Sequence, residues 1–240
     1  MSIPTTAMIM AAGFGTRMGS LTASTPKPLL RAGGRTLIDH ALEHCQSAGV
    51  RCVVVNLHFL GDQLRTHLAA RPDPEILFSE EQPDILDTGG GLVNALPLLG
   101  GDPLFVLNSD AVFAGGHPLA QLAEAWDDET FDALLLLVPR EQAVSYTRPG
   151  DFFLDRSPGR PRRRGDSPYA DYVYTGAQII HPRALADAPK GPFSLNVIWD
   201  QLNTRGRLGA TVTQGPWVDV GTPEGLSAAD AVLTAAQSVP

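Results

Sequence analysis

A glycine-rich segment near the amino terminus contains the residue types that bind phosphate. Residues 11–29 read AAGFGTRMGSLTASTPKPL and follow a short apolar run. Glycines such as Gly13 and Gly15 allow a tight turn in which several backbone N–H groups point at one anion. Arg17 adds a permanently charged, forked donor, and Lys27 adds a compact charge. We therefore expect this loop to hold phosphate groups.

Two better-known phosphate loops do not match this segment. The Walker pattern requires Gly-Lys-Ser/Thr at the end of the loop, and the segment has none. The dinucleotide fingerprint requires a third glycine three residues after the second, where Met18 stands. Because a bare Gly-x-Gly pair is also common in turns, the glycines alone do not decide between a phosphate site and a plain turn.

Two aspartates stand in or after apolar segments and are candidate metal ligands. Asp110 follows the segment 104–109, and Asp219 stands between two valines. Ligands of open α/β sheets bind beyond the carboxyl ends of strands, so Asp110 should face what the glycine loop holds. A lone aspartate in such a place is often a turn former. A pair beside a phosphate loop is typical of a Mg²⁺ site, because Mg²⁺ prefers one or two carboxylates with phosphate oxygens and water.

Apolar runs separated by helical patterns predict the sheet that positions these residues. Strands are predicted at Ala7–Ala12, Cys52–Asn56, Glu75–Ser79, Leu104–Asn108 and Ala133–Val138. Helices are predicted at Leu37–Ala48, Asp62–Ala70, Pro118–Trp126, Leu195–Thr204 and Pro223–Ala236. Continuous apolar strands that alternate with helices indicate a parallel sheet covered on both faces. We therefore predict one α/β domain over residues 1–240, with a Rossmann-like, mostly parallel sheet flanked by helices.

The second part of the chain has a different character. Short strands, prolines and charges dominate Gly150–Arg183, which predicts a smaller, partly antiparallel region. The expected division of the domain is a nucleotide-binding core over about residues 1–140 and a smaller lobe over about 141–240.

Composition and charge restrict the partners. The chain has 240 residues, 43% of them hydrophobic, and a net charge of −8. An acidic protein is a poor candidate for wrapping nucleic acid or docking on anionic lipid. The apolar run near the amino terminus is too short for a signal peptide or a membrane span. We expect a cytoplasmic protein, either a monomer or a small homo-oligomer, whose partners are small molecules rather than nucleic acid or membrane.

Three other patterns have a simpler explanation. Cys45 and Cys52 fit neither a redox pair nor a zinc knuckle and are expected to be reduced packing thiols. His40 and His44 match His-x-x-Glu-His, a zinc-peptidase pattern, but the same helix must also cover the sheet. The arginine-rich run Arg156–Arg164 is expected to be a solvated loop, with attraction of an anionic sugar phosphate as the alternative.

The order of motifs resembles the sugar-1-phosphate nucleotidyltransferase family. The resemblance rests on Gly-x-Gly-Thr-Arg-Met, then Leu-Thr and Pro-Lys-Pro-Leu in residues 13–29, and on the later aspartate motifs. It covers roughly residues 7–222 and implies the nucleotide-diphospho-sugar transferase fold. The family's chemistry would make Arg17, Lys27, Asp110 and Asp219 catalytic, with Mg²⁺ on the two aspartates.

The resemblance also implies where the two substrates bind. Nucleotide-binding positions carried over from the family are Ala12, Gly13, Gly15, Thr16, Arg17, Lys27, Gln82, Asp87, Thr88 and Gly89. Sugar-binding positions are Asn108, Asp151, Thr175 and Gly176. Considered without the family, a flexible loop and helix start is the less favoured alternative for Ser79–Gly91, and Gly150-Asp151 is also a common turn.

Within the family, three segments most resemble the short uridylyltransferases that serve cell-wall sugar recycling. These segments are Leu86–Gly91, Gly150–Phe152 and Trp217–Gly221. They imply UTP and N-acetylmuramate 1-phosphate as substrates, and mannose- or heptose-1-phosphate guanylyltransferase is the alternative. Two other classes stay open, a catalytically silent nucleotide-sugar sensor and, less favoured because the third glycine is missing, a nicotinamide oxidoreductase.

Overall fold

The computed structural model describes residues 3–69, 71, 73–155 and 159–237. Its strands are β1 (Thr6–Met10), β2 (Arg31–Ala32), β3 (Arg35–Thr36), β4 (Cys52–Leu57), β5 (Glu75–Glu80), β6 (Leu104–Asn108), β7 (Ala111–Phe113), β8 (Ala133–Pro139), β9 (Ala143–Val144), β10 (Phe152–Asp155), β11 (Arg160–Arg163), β12 (Tyr172–Ile180), β13 (Leu208–Val212) and β14 (Trp217–Asp219). Its α-helices are α1 (Leu37–Ser47), α2 (Gly61–Leu68), α3 (Asp87–Leu99), α4 (Pro118–Ala125), α5 (Asn196–Thr204) and α6 (Pro223–Gln237).

A parallel four-stranded core forms one half of the main sheet. Its strands lie in the order β5-β4-β1-β6, and every neighbouring pair is parallel. The register pairs Met10 with Asn108, and Asn56 with Ser79. Parallel strands place their carboxyl ends at one edge, so the segments that follow β1, β4, β5 and β6 gather there. The α/β class predicted from the apolar runs is confirmed.

The second half of the sheet is antiparallel. β12 runs antiparallel to β6 and to β8, and it continues through β10 to β11, while β13 joins β8 in parallel. The pairing of β12 with β8 shifts register between Tyr174 and Gln178. Such a bulge bends a strand and redirects its side chains. The bend lies where the two halves of the sheet meet.

Helices cover both faces, as the continuous apolar strands require. Helices α1, α2 and α4 pack with Ile9, Val53 and Phe105 in one buried cluster. Helices α3 and α5 pack with Met8, Val54 and Val106 in a second cluster on the opposite face. Because neighbours in a strand alternate between faces, each central strand contributes to both clusters.

Residues that resembled a zinc site or a redox pair belong to the framework. His40 is buried and its Nε2 lies 2.8 Å from the carbonyl oxygen of Ala32. His44 packs its ring edge-on against Phe113. Cys45 is a free, buried thiol, and burial raises its pKa to about 12. These contacts are those of packing residues, not of metal ligands.

The remaining sequence predictions concern the arginine run and the membrane. Arg156, with the next two residues of the run, lies outside the described residues, whereas Arg160–Arg163 forms β11. The structured part of the run is therefore a strand and not the solvated loop that was expected. None of the helices in the described chain is long and apolar enough to cross a membrane.

Candidate active site

The glycine loop follows β1 and is stabilised from within. Gly15 has a φ of +63°, a left-handed conformation, and its carbonyl oxygen accepts hydrogen bonds from the backbone of Met18 (2.9 Å) and the hydroxyl of Thr22 (3.0 Å). A Cβ at Gly15 would lie 3.0 Å from the Cβ of Lys27, so a side chain there would be both strained and crowded. In the described part of the chain, the N–H groups of Gly13, Phe14 and Gly15 donate to no acceptor. These donors remain available to an anion.

Lys27 and Asp110 form an ion pair at the base of this loop. The Nζ of Lys27 lies 2.5 Å from the Oδ2 of Asp110. Lys27 is only 9% exposed, whereas the Asp110 side chain keeps 30% of its surface open. Asp110 directly follows Ser109, whose N–H donates to the carbonyl of Met10 at 3.1 Å. The end of β6 therefore holds the Asp110 carboxylate against the loop that follows β1.

Strand pairing brings the second aspartate to the first. In the small sheet β7-β14-β9, β14 is antiparallel to β7 and pairs Asp219 with Ala111, the residue after Asp110. Burial raises the pKa of Asp219, and the negative charge of Asp110 raises it further, while Arg148 opposes the shift. The Nη2 of Arg148 lies 3.2 Å from the Oδ2 of Asp219. The pairing of β14 with β7 thus brings Asp219 next to the end of β6, where Asp110 lies.

The donor set fits Mg²⁺ better than a transition metal. In the described residues, no group of three or more His, Cys, Asp or Glu side chains is placed to hold a metal ion. Zinc sites use three or four such ligands, whereas Mg²⁺ is commonly held by one or two carboxylates and completed by phosphates and water. Asp110 and Asp219 supply such a pair, and each is balanced by a cation, Lys27 or Arg148.

Two adjoining cavities open beside these residues. The first, of about 300 Å³, is lined by Met10, Ala11, Ala12, Gly13, Gly15, Thr16, Arg17, Lys27, Pro28, Asn56, Glu81, Ile85, Asp87, Thr88, Asn108, Ser109, Asp110 and Gly221. The second, of about 400 Å³, is lined by Thr88, Asn108, Arg148, Gly150, Asp151, Phe152, Arg163, Arg164, Gly165, Tyr174, Ser194, Leu195, Asn196 and Trp199. Thr88 and Asn108 belong to both walls. The two cavities therefore adjoin between Asn108, the last residue of β6, and Thr88, in the first turn of α3.

The structure brings most of the predicted site residues to these walls. The first cavity includes the predicted loop residues 12, 13, 15, 16, 17 and 27 together with Asp87 and Thr88. Asn108 and Asp151 line the second cavity. Asp151 accepts hydrogen bonds from the backbone N–H of Tyr174 (3.0 Å) and the hydroxyl of Tyr146 (3.4 Å), so its carboxylate is fixed in place.

Gly176 contributes by making room for Asn108. It has a φ of +86°, and a Cβ at this position would lie 2.9 Å from the Cβ of Asn108. Any side chain would therefore be strained and would push Asn108 out of the wall that both cavities share.

Asp219 itself lines neither cavity and meets the second through its ion pair with Arg148, and three further predicted residues lie elsewhere. Gln82 is exposed and lines a separate hollow of about 340 Å³. Gly89 lies in the first turn of α3 and packs against Phe193. Its N–H donates to the carbonyl oxygen of Phe193 at 2.8 Å. Thr175 is 1% exposed, and its hydroxyl donates to the carbonyl of Leu136 at 2.8 Å, so it belongs to the core and not to the sugar side.

A buried polar chain that sequence reasoning missed supports the first cavity. Asn56, at the end of β4, accepts the N–H of Ala11 (2.6 Å) and donates to Glu81 (2.6 Å). The second carboxyl oxygen of Glu81 accepts the N–H of Leu86 at 2.7 Å. Asn56 and Glu81 come at or just after the carboxyl ends of β4 and β5, and that position was the available signal. The chain links the glycine loop to the start of α3.

The sequence of the chain matches a known protein family. The family model for the MobA-like NTP transferase domain matches residues 7–187. The chain belongs to this nucleotidyltransferase family. The glycine loop, Lys27 and Asp110 lie within the matched range, and Asp219 lies beyond it.

Individual relatives share nearly the whole chain. It is 39% identical to the N-acetylmuramate alpha-1-phosphate uridylyltransferase of Caulobacter vibrioides, over 97% of this chain and 98% of that protein. It is 31% identical to the mannose-1-phosphate guanyltransferase of Aspergillus fumigatus, over 91% of this chain but 61% of that protein. The solved inositol-1-phosphate CTP transferase of T. maritima has the same fold, with a TM-score of 0.78 at 18% identity, over 99% of this chain and 98% of that one.

Proposed function

We propose that this protein transfers a uridylyl group from UTP to N-acetylmuramate 1-phosphate and releases pyrophosphate. The observation that carries the proposal is the end-to-end, 39% identity to a uridylyltransferase of that specificity. The two adjoining cavities support it, because they suit a nucleotide and a sugar whose phosphates meet beside Asp110 and Asp219. The proposed substrates place the protein in the cytoplasm, where nucleoside triphosphates are available.

The glycine loop would bind the triphosphate. The free N–H groups of Gly13, Phe14 and Gly15 can donate to phosphate oxygens, and Arg17 can hold the pyrophosphate as it departs. Arg17 lies beside Gly221, so it reaches across from the loop to the segment that follows Asp219. The base would lie towards Asp87, which lines the first cavity alone, and towards Thr88, which lines both cavities.

The reaction centre lies between the two cavities. An oxygen of the sugar 1-phosphate would attack the α-phosphorus in line, a new P–O bond would form, and the bond to the β-phosphate oxygen would break. Mg²⁺ held by Asp110 and Asp219 would neutralise the phosphate charge that develops in this step. Lys27 would add a positive charge beside the α-phosphate, and the nearly complete burial of its stem fixes the position of that charge. Positioning of the substrates and stabilisation of the developing charge would thus account for the acceleration of the reaction.

The sugar would occupy the second cavity. Asn108 stands in the shared wall, where its amide can reach the sugar next to the phosphate. Aromatic side chains of Phe152, Tyr174 and Trp199 also line this cavity, and the ring centroids of Tyr174 and Trp199 lie 4.8 Å apart edge to face. Apolar rings with a few fixed polar groups are typical of pockets for small molecules.

A mannose-1-phosphate guanylyltransferase is the second candidate. The 31% identity to the A. fumigatus protein favours it, but this chain spans only 61% of that relative and 98% of the uridylyltransferase. The base is therefore the feature that most needs a direct test.

A pyrophosphate-release assay with Mg²⁺ tests the proposal. UTP, GTP, CTP, dTTP and ATP are each combined with the 1-phosphates of N-acetylmuramate, N-acetylglucosamine, glucose, mannose and heptose. Release confined to UTP with N-acetylmuramate 1-phosphate is the expected result. Release from GTP with mannose 1-phosphate or heptose 1-phosphate would show that both the base and the sugar differ from those proposed. Nucleotide binding without release from any pair would indicate a catalytically silent sensor.

A further inference from the structure

A buried glutamine stands behind the second cavity without lining it. Gln178 of β12 is 0% exposed, and Ile180, on the same face of that strand, belongs to the apolar cluster that packs with α5. The amide oxygen of Gln178 accepts a hydrogen bond of 3.0 Å from the indole N–H of Trp199. Its amide nitrogen is fully enclosed and has no hydrogen-bond partner in the described residues.

Core stability alone does not explain an amide at this position. A buried polar group without a partner destabilises a fold, and an apolar side chain of similar volume would fill the same space. Trp217 shows a simpler arrangement, because its indole N–H donates to the backbone carbonyl oxygen of Thr175 at 2.8 Å. The hydrogen bond to Trp199 is therefore the feature of Gln178 that indicates a role.

Trp199 belongs to the wall of the second cavity. Its ring packs edge-on against Tyr174, with 4.8 Å between the centroids, and its centroid lies 5.9 Å from that of Phe152. All three rings line the cavity. Apolar contacts alone do not distinguish one end of an indole ring from the other, whereas the hydrogen bond to Gln178 selects a single orientation. The buried amide therefore fixes the shape of this aromatic wall.

We propose that Gln178 is a positioning residue, which orients Trp199 and thereby sets how the second cavity accepts the sugar. This inference rests on the proposed function, because it requires the sugar 1-phosphate, and not the nucleotide, to occupy this cavity. A pyranose ring presents a C–H face that packs on an aromatic ring. A displaced Trp199 would therefore weaken binding of the sugar and leave binding of the nucleotide unchanged.

Steady-state kinetics with Mg²⁺, UTP and N-acetylmuramate 1-phosphate test this inference. Gln178→Met keeps the volume of the side chain and removes the acceptor. The KM for the sugar 1-phosphate should rise about 5- to 30-fold, the effect of a buried donor that loses its hydrogen bond. The KM for UTP should change less than about twofold, because Trp199 does not line the first cavity.

Trp199→Phe, which has no N–H group, completes a double-mutant cycle. Adding Gln178→Met to this variant should raise the KM for the sugar by less than about a further twofold, because the amide then has no donor to orient. The double variant leaves neither polar group without a partner, so it should fold even if Gln178→Met alone does not.

Thr36→Val is the matched control for loss of a buried hydrogen bond. Thr36 is 3% exposed and lines neither cavity, and its hydroxyl accepts the N–H of Asp39 at 3.3 Å at the start of α1. This variant should lower the midpoint of unfolding in urea and leave both KM values at those of the wild type.

The outcomes separate this inference from the proposed function. The positioning role would be refuted by an unchanged KM for the sugar in Gln178→Met, by an equal rise in both KM values, or by a double variant that binds the sugar much more weakly than Trp199→Phe. A wild-type enzyme that turns over a different sugar 1-phosphate would refute the proposed substrate alone, and the same variants are then compared with that sugar.

Discussion

Replacing Glu81 tests whether the buried polar chain holds the active site together. Glu81 is 1% exposed and accepts hydrogen bonds from the side chain of Asn56 and the backbone of Leu86. Glu81→Ala strands the buried amide of Asn56 and the partly buried N–H of Leu86, and a donor left without an acceptor costs about 1–3 kcal/mol, with the partly buried one at the lower end. We therefore expect the free energy of unfolding to fall by roughly 2–6 kcal/mol, a large share of the total of about 5–15 kcal/mol for a typical domain.

Glu81→Gln refines the same prediction. The amide keeps one acceptor oxygen but turns an NH₂ group towards one of the two donors. The expected loss is therefore about 1–3 kcal/mol, smaller than that of Glu81→Ala. Catalysis should fall too, since Asn56 also fixes the N–H of Ala11 at the entrance to the glycine loop.

Urea unfolding followed by fluorescence measures these changes. Glu80→Gln is the control, because Glu80 is half exposed and pairs with Arg65 on the surface, and exposed pairs of this kind contribute about 0–1 kcal/mol. If Glu81→Ala costs no more than Glu80→Gln, the chain does not carry the stability that its geometry indicates.

Three further predictions follow from the same structure. Asp219→Asn should abolish pyrophosphate release but raise the free energy of unfolding at pH 7, because burial and the charge of Asp110 raise the pKa of Asp219 in the folded state. Denaturation measured across pH should show this gain disappear below the unfolded-state pKa of 3.8, where the carboxyl group is protonated in both states. Burial lowers the pKa of His44 to about 4, so wild-type stability should fall as pH drops from 6.5 towards 4, and His44→Gln should flatten that slope in urea titrations. Gly176→Ala should lower kcat/KM at least about tenfold, because the new side chain displaces Asn108, and it should cause a modest loss of thermal stability. Unchanged kinetics would show that catalysis does not depend on a fixed position of Asn108.

The sequence predicted the parts of the site that depend on local pattern. Lys27 follows from its motif, and Asp110 from its place after an apolar strand, because the carboxyl ends of parallel strands meet at one edge. That Asp219 lies beside Asp110 depends on the antiparallel pairing of β14 with β7, which no local pattern reveals.

Residues whose role depends on distant contacts were missed or misplaced. Glu81 acts through Asn56 and Leu86, which are distant or follow it in a loop, so its place after β5 was the one signal and the neighbouring residue types gave none. The family resemblance implies a sugar-binding role for Thr175, but neighbours in a strand point to opposite faces, and its hydroxyl turns into the core. Gly89 lies in a glycine triplet that resembles a loop, whereas the triplet packs within the first turn of α3.

The two cavities share few lining residues, which has a consequence for how the accepted sugar and the accepted base can change. Only Thr88 and Asn108 line both cavities in the described chain, and the remaining walls come from separate stretches of sequence. A chimera that exchanges the stretch from β10 to β12 for that of a relative should therefore change the accepted sugar while keeping the accepted base. The exchange must retain glycine at position 176, because that residue and Asn108 meet across the junction. Under the proposed function, the segments that select the sugar would thus be exchangeable without changing those that select the base.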